Sequence, residues 1–372
     1  MNKNKILKVT SIMLLAVTMG MTLASCGNKV DQETSANTSV STELAEKTES
    51  ESDESSKEIS AEDSKNEGTM TESSDVNEEY YPITYTTYNH AKEAVEVTIE
   101  KEPTKVVAVY QNSIETLLAL GLEDKIVAAA GLDHKVKPEF EEAFSGVNYL
   151  NDWQPNKETV VMLEPDFILS WYSYFGEKRL GEVDYFHDNN IGTYMALNSG
   201  AVSPRTLQNE CDDILNIGKI FNVNDKAKAI VDKIQSRVAE VVESEKDKEQ
   251  KSTMIIEFYT DKISGYGATS LGGDMVVKLG AKLMNPEGND LGVEDIIALD
   301  PESIFVVYYN GGKRSDEEAE LGALNNVMDN EALANISAVK NKKVYAIPLG
   351  EMYASGVRTI DGIERFAKGI YE

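Results

Sequence analysis

The sequence predicts an α/β fold with two Rossmann-like lobes, each built on a parallel sheet, joined by one long inter-lobe helix. Three observations lead to this prediction. Short β-branched runs alternate with amphipathic helical stretches in both halves of the chain, which is typical of βαβ units and parallel sheets. A long stretch without strands separates the halves. A pattern of helix, acidic residue, proline and buried strand occurs once in each half.

The first half, 81–222, contains four predicted strands. The β-branched run KVVAVY predicts the first of them at 105–110. Asn112 and Ser113 then offer an N-cap for a helix over 114–120, which Gly121 ends. The other predicted elements of this half are strands at 125–130, 166–170 and 191–196 and a helix over 156–163 that stops at Glu164-Pro165. This alternation predicts an N-terminal α/β lobe.

The middle of the chain predicts the connection between the lobes. Residues 206–245 contain no proline and carry two amphipathic stripes. The second stripe, over 225–245, is long and polar on one face, and no strand interrupts it. We therefore expect 223–246 to form the inter-lobe helix.

The alternation then restarts in the second half, 247–372. Its predicted strands and helices lie at 253–259, 303–308 and 343–347 and at 272–279, 293–299 and 359–371. Residues 158–169 of the first half match 294–305 of the second in pattern, although a shared α/β architecture alone can produce such a match. Ligands of parallel sheets bind beyond the carboxyl ends of the strands, so we expect a ligand cleft between the lobes.

The N-terminus predicts export. Lysines within 3–8 precede an apolar run at 11–23, which is shorter than the roughly 20 residues of a membrane span and fits a signal peptide over 1–25. The run ends in Leu-Ala-Ser-Cys-Gly, which resembles the lipobox of bacterial lipoproteins, so we expect Cys26 to carry lipid and anchor the chain on the extracytoplasmic face of the membrane. The alternative is an ordinary signal peptide that contains a cysteine.

The charge of the chain is uneven. The formal net charge is -28, and residues 31–80 hold 16 acidic and 3 basic side chains. Such a segment buries too little apolar surface to fold, so we expect 26–80 to be a disordered tether. The acidic balance argues against nucleic acid as a partner. Cys211, the second of the two cysteines, is left without a disulfide partner and is expected to be a small buried side chain.

Residues 82–372 resemble bacterial periplasmic-binding-protein-like receptors of ABC importers for iron siderophores, haem and cobalamin. The segments that carry this resemblance are 103–109 with 114–121, then 156–169, 293–307 and 356–371. Their order and spacing, together with the lipoprotein leader, are more specific than any one of them. The resemblance implies two lobes with little hinge opening, a shallow cleft, a monomer, and delivery of the ligand to membrane permease subunits.

The resemblance also implies one surface glutamate on each lobe that docks to arginines of the permease. By position in the motif these are Glu158 and Glu294. The alternative is that both are ordinary acidic residues in the first turn of a helix, where the helix dipole favours them.

Aromatic residues are concentrated where predicted strands end, which indicates a cleft that holds flat surfaces. An arginine there would make charge-assisted hydrogen bonds to an anionic chelate. The residues that we expect to contact ligand are Tyr110, Trp153, Trp171, Tyr172, Tyr259, Tyr308, Tyr353 and Arg358. Lys178 or Arg179 is a second candidate for the cation, and His134 stays open as a cleft residue. The alternatives are tryptophans buried in a lobe core and cations that are simply solvated.

We expect the ligand to be a ferric siderophore, with haem or cobalamin as alternatives of the same transporter class. A free metal ion is less favoured, because the chain has only three histidines. The sequence has no nucleophile elbow, HExxH motif, P-loop or dinucleotide fingerprint. We therefore expect a binding protein rather than an enzyme, with no catalytic residue, resident metal or cofactor.

Overall fold

The computed structural model describes residues 80–176, 179–311 and 314–372. The predicted signal peptide, Cys26, the tether as far as residue 79, and Lys178 lie outside these ranges. No helix inside them combines the length and hydropathy that crossing a bilayer requires.

The first lobe is built on a parallel sheet that an antiparallel hairpin precedes. Its strands are β1 (Ile83–Tyr88), β2 (Ala94–Ile99), β3 (Val106–Val109), β4 (Ile126–Ala130), β5 (Phe167–Ser170) and β6 (Gly192–Met195). Its helices are α1 (Gln111–Ala119), α2 (Glu141–Phe144), α3 (Lys157–Val161), α4 (Val183–Asp188) and α5 (Leu207–Ile220). The sheet order is β4-β3-β5-β6, with every pair parallel.

The hairpin β1–β2 has no counterpart among the predicted elements. One face of β1 is buried, including Tyr85 and Thr87. The Tyr85 hydroxyl donates to the carbonyl oxygen of Thr193 at 3.1 Å, so β1 packs on the lobe at β6. The hairpin alternates polar and apolar residues because only this one face meets the core.

The connection between the lobes is the helix α6 (Asn224–Glu245). Its buried residues are Ala227, Val231, Ile234 and Val241, which share one face at helical spacing. Helices α5 and α6 pack closely where Gly218 of α5 meets Ala227 of α6. A Cβ added at Gly218 would overlap the Cβ of Ala227.

The second lobe repeats the architecture with a mixed sheet. Its strands are β7 (Ser252–Phe258), β8 (Ile263–Gly265), β9 (Lys282–Leu283), β10 (Ser303–Tyr308) and β11 (Val344–Pro348). Its helices are α7 (Leu271–Lys278), α8 (Val293–Leu299), α9 (Asp316–Met328), α10 (Ser337–Lys340) and α11 (Thr359–Tyr371). The order is β11-β10-β7-β8, with β9 on β7, and β8 alone runs antiparallel.

The repeated pattern found in the sequence has the same local structure in both lobes. Helices α3 and α8 are each followed by an acidic residue with positive φ, Glu164 at 49° and Asp300 at 41°, directly before a proline. The next acidic side chain then accepts a backbone hydrogen bond from the start of the neighbouring strand. Asp166 accepts from the Lys105 amide at 2.8 Å, and Glu302 accepts from the Ser252 amide at 2.8 Å.

One hydrophobic cluster is shared by the two lobes, and each lobe has a further cluster of its own. A single cluster of buried side chains includes Phe167 and Ile114 of the first lobe, Ile234 of α6, and Ile255 and Phe305 of the second lobe. The α/β class with two lobes and one long connecting helix, predicted from the sequence, is therefore confirmed.

Candidate functional site

A cavity of about 1050 Å³ lies where strands of the second lobe end and the first lobe faces them. The first lobe contributes Asp133, which follows β4, and Trp153. The second lobe contributes the ends of β7 and β10 with the residues that follow, and one face of α9. This is the position where parallel α/β sheets bind ligands, and the volume is large enough for an organic complex.

Three of the predicted aromatic residues line this cavity: Trp153, Tyr259 and Tyr308. The Tyr259 side chain is 48% exposed, whereas Tyr308 is 8% exposed. The ring of Tyr308 meets the ring of His134 edge to face, with centroids 5.7 Å apart. His134 is buried, and its Nδ1 lies 2.8 Å from Oδ1 of Asp316 on α9. His134 therefore joins the lobes behind the wall of the cavity.

Three more predicted residues, Tyr110, Trp171 and Tyr353, form a stacked cluster. The Trp171 ring lies 4.6 Å from Tyr110 and 5.5 Å from Tyr353, which belongs to the second lobe. Gly131 lies between this cluster and Trp153. A Cβ added at Gly131 would lie 3.2 Å from the Trp153 carbonyl oxygen and 3.3 Å from the Tyr110 ring. The cluster and the cavity wall are therefore neighbours.

Tyr110 occupies a strained backbone position at the junction of β3 and α1. Its φ of 76° and ψ of 156° fall in a region that residues other than glycine rarely adopt. Its hydroxyl accepts hydrogen bonds from Gln154 Nε2 at 2.7 Å and from Arg179 Nη1 at 3.2 Å. Arg179, a predicted candidate cation, thus lies next to the aromatic cluster.

A second arginine lies on the same cluster. The guanidinium of Arg205 lies over the Tyr353 ring at 4.5 Å, within the range of a cation–π interaction. Its Nε is buried without a hydrogen-bond partner among the described residues. No sequence pattern indicated Arg205, because it follows a proline in a loop far along the chain from the other cleft residues.

Tyr172 lies on the side of the first lobe that carries the hairpin. Its ring stacks on His90 with centroids 4.9 Å apart, and its hydroxyl donates to the His90 carbonyl oxygen at 3.0 Å. Lys92 Nζ lies 4.9 Å from the ring centroid. Tyr172 thus holds the hairpin turn against the lobe.

The contact of Arg358 with ligand stays a prediction, and its guanidinium is already paired within the protein. Its Nε and Nη2 donate to Glu115 at 2.5 and 2.8 Å, and Nη2 also donates to the Lys135 carbonyl oxygen at 2.7 Å. Glu115 is completely buried and also accepts from Gln111 Nε2 and the Lys137 amide. The pair joins α1 of the first lobe to the segment before α11, and the described cavity lining at β7 and β10 does not include Arg358.

Two carboxylates without a predicted role, Asp133 and Glu257, line the cavity. Asp133 is 8% exposed, and burial raises the pKa of its carboxyl to about 6, against the opposing effect of His134 and Arg358. Glu257 is 5% exposed and accepts from the hydroxyls of Tyr259 and Tyr266 at 2.8 and 2.6 Å. Burial and this carboxylate raise the pKa of Tyr266 far above its usual range, so Tyr266 stays a donor.

Helix α9, which forms one wall, was also missed. It presents Ala319, Gly322 and Ala323 to the cavity, and these small side chains leave room there. The sequence does contain its start signal, because Ser315 and Glu318 form a capping box. The hydrophobic periodicity of α9 is weak, so the sequence pattern did not predict this helix.

The predicted docking residues occupy equivalent places on the two lobes. Glu158 lies in the first turn of α3 and Glu294 in the first turn of α8. Both side chains are exposed, and neither has a hydrogen bond or ion pair with another described side chain.

Known proteins share this architecture. The family model described as periplasmic binding protein matches residues 106–349. The petrobactin-binding protein YclQ of Bacillus subtilis (strain 168) is 26% identical over 316 residues, 82% of this chain and 91% of YclQ. YvrC of the same organism, an uncharacterized ABC transporter substrate-binding lipoprotein, is 26% identical over 284 residues, 74% of this chain and 82% of YvrC.

A solved structure agrees with the sequence relatives. The crystal structure of a periplasmic binding protein from Veillonella parvula DSM 2008 has a TM-score of 0.72 and 31% identity, covering 78% of this chain and 92% of that one. The match of the family model extends from the first residue of β3 to just beyond β11. The chain therefore belongs to the periplasmic binding protein family.

Proposed function

We propose that this chain is the extracytoplasmic solute-binding lipoprotein of an ABC importer, and that it binds an iron complex of the ferric-siderophore class. In this proposal Cys26 carries the lipid, the acidic tether spans the distance to the folded lobes, and the cavity between the lobes holds the complex. The protein then delivers its ligand to permease subunits and performs no chemistry on it.

The observation that carries the proposal is the cavity at the ends of β7 and β10. Its volume of about 1050 Å³ and its aromatic wall, with Trp153 from one lobe and Tyr259 and Tyr308 from the other, suit a ligand with flat chelating groups. The stacked cluster of Tyr110, Trp171 and Tyr353 lies next to it. The relatives support the same class of ligand, since YclQ is named for binding petrobactin, a siderophore.

A ligand panel tests this proposal. Ferric siderophores, haem, cobalamin and divalent metal ions are each added to the purified protein, and thermal unfolding is followed. A ligand present at a hundredfold excess over its Kd stabilises the folded state by about 2.7 kcal/mol. We expect stabilisation by at least one ferric siderophore and by none of the free ions. Stabilisation by haem or cobalamin alone would reassign the ligand.

Truncation of the aromatic wall is a second test. Trp153→Ala removes a large contact surface. We therefore expect the affinity for the iron complex that stabilises the protein in the panel to fall at least tenfold, with little change in the free energy of unfolding of the ligand-free protein. The matched control is Leu321→Ala, because Leu321 is 59% exposed on α9 and does not line the cavity. Equal affinities of the two variants would remove Trp153 from the site.

Permease docking is tested by charge reversal. The double variant Glu158→Lys, Glu294→Lys should abolish cellular uptake of the labelled complex while leaving its Kd within about twofold, since neither side chain lines the cavity. The control is Glu123→Lys with Glu331→Lys, which reverses one exposed first-turn acid on each lobe. Normal uptake with the first pair reversed, or equal loss with both pairs, would refute the assignment.

A further inference from the structure

The cavity wall carries more acidic than basic side chains among the described residues, whereas an anionic chelate would favour a basic wall. Among the described lining residues, the acidic side chains are Asp133 and Glu257 and the basic side chain is Arg314. Arg314 is exposed and donates from Nη2 to the Tyr309 carbonyl oxygen at 3.3 Å. The two carboxylates are by contrast buried, at 8% and 5% exposure. Among the described lining residues, the charged side chains that are buried are therefore both acidic.

Asp133 has unused hydrogen-bonding capacity. More than nine-tenths of the residue is buried, and its carboxylate accepts no hydrogen bond and forms no ion pair with a described residue. A largely buried carboxylate without a protein donor can take a hydrogen bond from solvent or from a bound ligand. Because the residue lines the cavity, a ligand in the cavity can supply the missing donor.

Glu257 offers a second acceptor from the opposite lobe. The hydroxyls of Tyr259 and Tyr266 both donate to its Oε2, and within the described residues Oε1 accepts no hydrogen bond. The two phenols fix the orientation of the carboxylate. The cavity lining therefore offers one acceptor from each lobe.

We propose that the ligand is an iron complex that carries a cationic amine, and that the Asp133 carboxylate binds this ammonium group, with Glu257 Oε1 as the second acceptor. This inference rests on the proposed function and narrows it. The aromatic walls hold the chelate, whereas the acidic pair selects complexes by their pendant charge. Charge-assisted hydrogen bonds of this kind are shorter and stronger than neutral ones.

Matched ligand pairs test the inference by isothermal titration. Three ferric complexes, of tris-hydroxamate, tris-catecholate and citrate type, are each prepared with a pendant primary ammonium group and with that amine acetylated. For a complex that binds, we expect the ammonium form to bind the natural chain about tenfold or more tightly than the acetylated form. In Asp133→Asn this ratio should fall close to one, whatever the absolute affinities for the two forms.

The control and the outcomes separate this inference from the function itself. Asp124→Asn makes the same chemical change at an exposed position of the first lobe and should keep the full preference. Equal binding of both forms by the natural chain, or a preference that survives in Asp133→Asn, would overturn the inference and leave the proposed function intact. If no complex in the panel binds, the proposed function fails and the inference falls with it. The comparison within the natural chain stands even if the variant does not fold.

Discussion

Arg358, which the sequence predicts to contact ligand, forms a buried ion pair with Glu115 that joins the two lobes. The arginine belongs to the second lobe and the glutamate to the first, and their side chains are 10% and 0% exposed. Removing one partner of such a pair leaves an uncompensated buried charge, which costs about 3–5 kcal/mol. Removing Arg358 or Glu115 should therefore lower the free energy of unfolding more than it lowers the affinity for ligand.

We therefore predict that Arg358→Ala lowers the free energy of unfolding by about 3 kcal/mol or more, measured by urea denaturation. Combining Glu115→Gln with Arg358→Met removes both charges and should cost less than the sum of the single changes. The control is Arg237→Ala, whose pair with Glu364 has a similar two-nitrogen geometry but is more accessible to solvent, with side chains 32% and 52% exposed, and should cost less than about 1 kcal/mol. A stable Arg358→Ala protein that has lost its ligand would instead support the ligand-binding role expected from the sequence.

For single residues, the sequence indicated which residue types lie at the cleft but not which residues they contact. Aromatic residues after strands could be placed near the cleft, because strand ends share one edge, and Trp153, Tyr259 and Tyr308 do line the cavity. The partner of Arg358 is 243 positions away along the chain, and no local pattern indicates such a contact. Asp133 was overlooked for the same reason, since it lines the cavity together with residues of the other lobe.

Among the elements, strands and helices with strong periodicity were predicted within a few residues, and those with weak periodicity were missed. The connector was expected within 223–246, and α6 spans Asn224–Glu245. The hairpin β1–β2 and helix α9 were overlooked, because a half-exposed hairpin and a helix rich in small and acidic residues carry little hydrophobic signal.

The contact between α5 and α6 gives a prediction for these elements. Gly218→Ala places a methyl group where the Cβ of Ala227 already lies, so we expect a loss of about 1–3 kcal/mol in the free energy of unfolding. Adding Ala227→Gly should recover part of it. Gly322→Ala on α9 is the matched control, because the nearest atom there is 3.9 Å away and the better helix propensity of alanine should stabilise. A neutral Gly218→Ala would mean that the helices can separate freely.

For the whole molecule, the shared core predicts that the two lobes unfold together. Both tryptophans belong to the first lobe and lie where it faces the second, so their fluorescence reports on the first lobe and on its contact with the second, whereas far-ultraviolet circular dichroism reports on both lobes. We expect the two urea transitions to coincide. A fluorescence transition at lower urea than the dichroism transition would show that the lobes unfold independently and that the shared core contributes little to cooperativity.

The buried pair that joins the lobes also has a kinetic consequence. We expect a buried pair that holds the halves in this arrangement to leave no closure step before binding, so that each productive encounter leads directly to the bound state. The observed association rate should then rise in proportion to ligand concentration without reaching a plateau. Discrimination among similar complexes would accordingly arise from how long each one resides in the cavity.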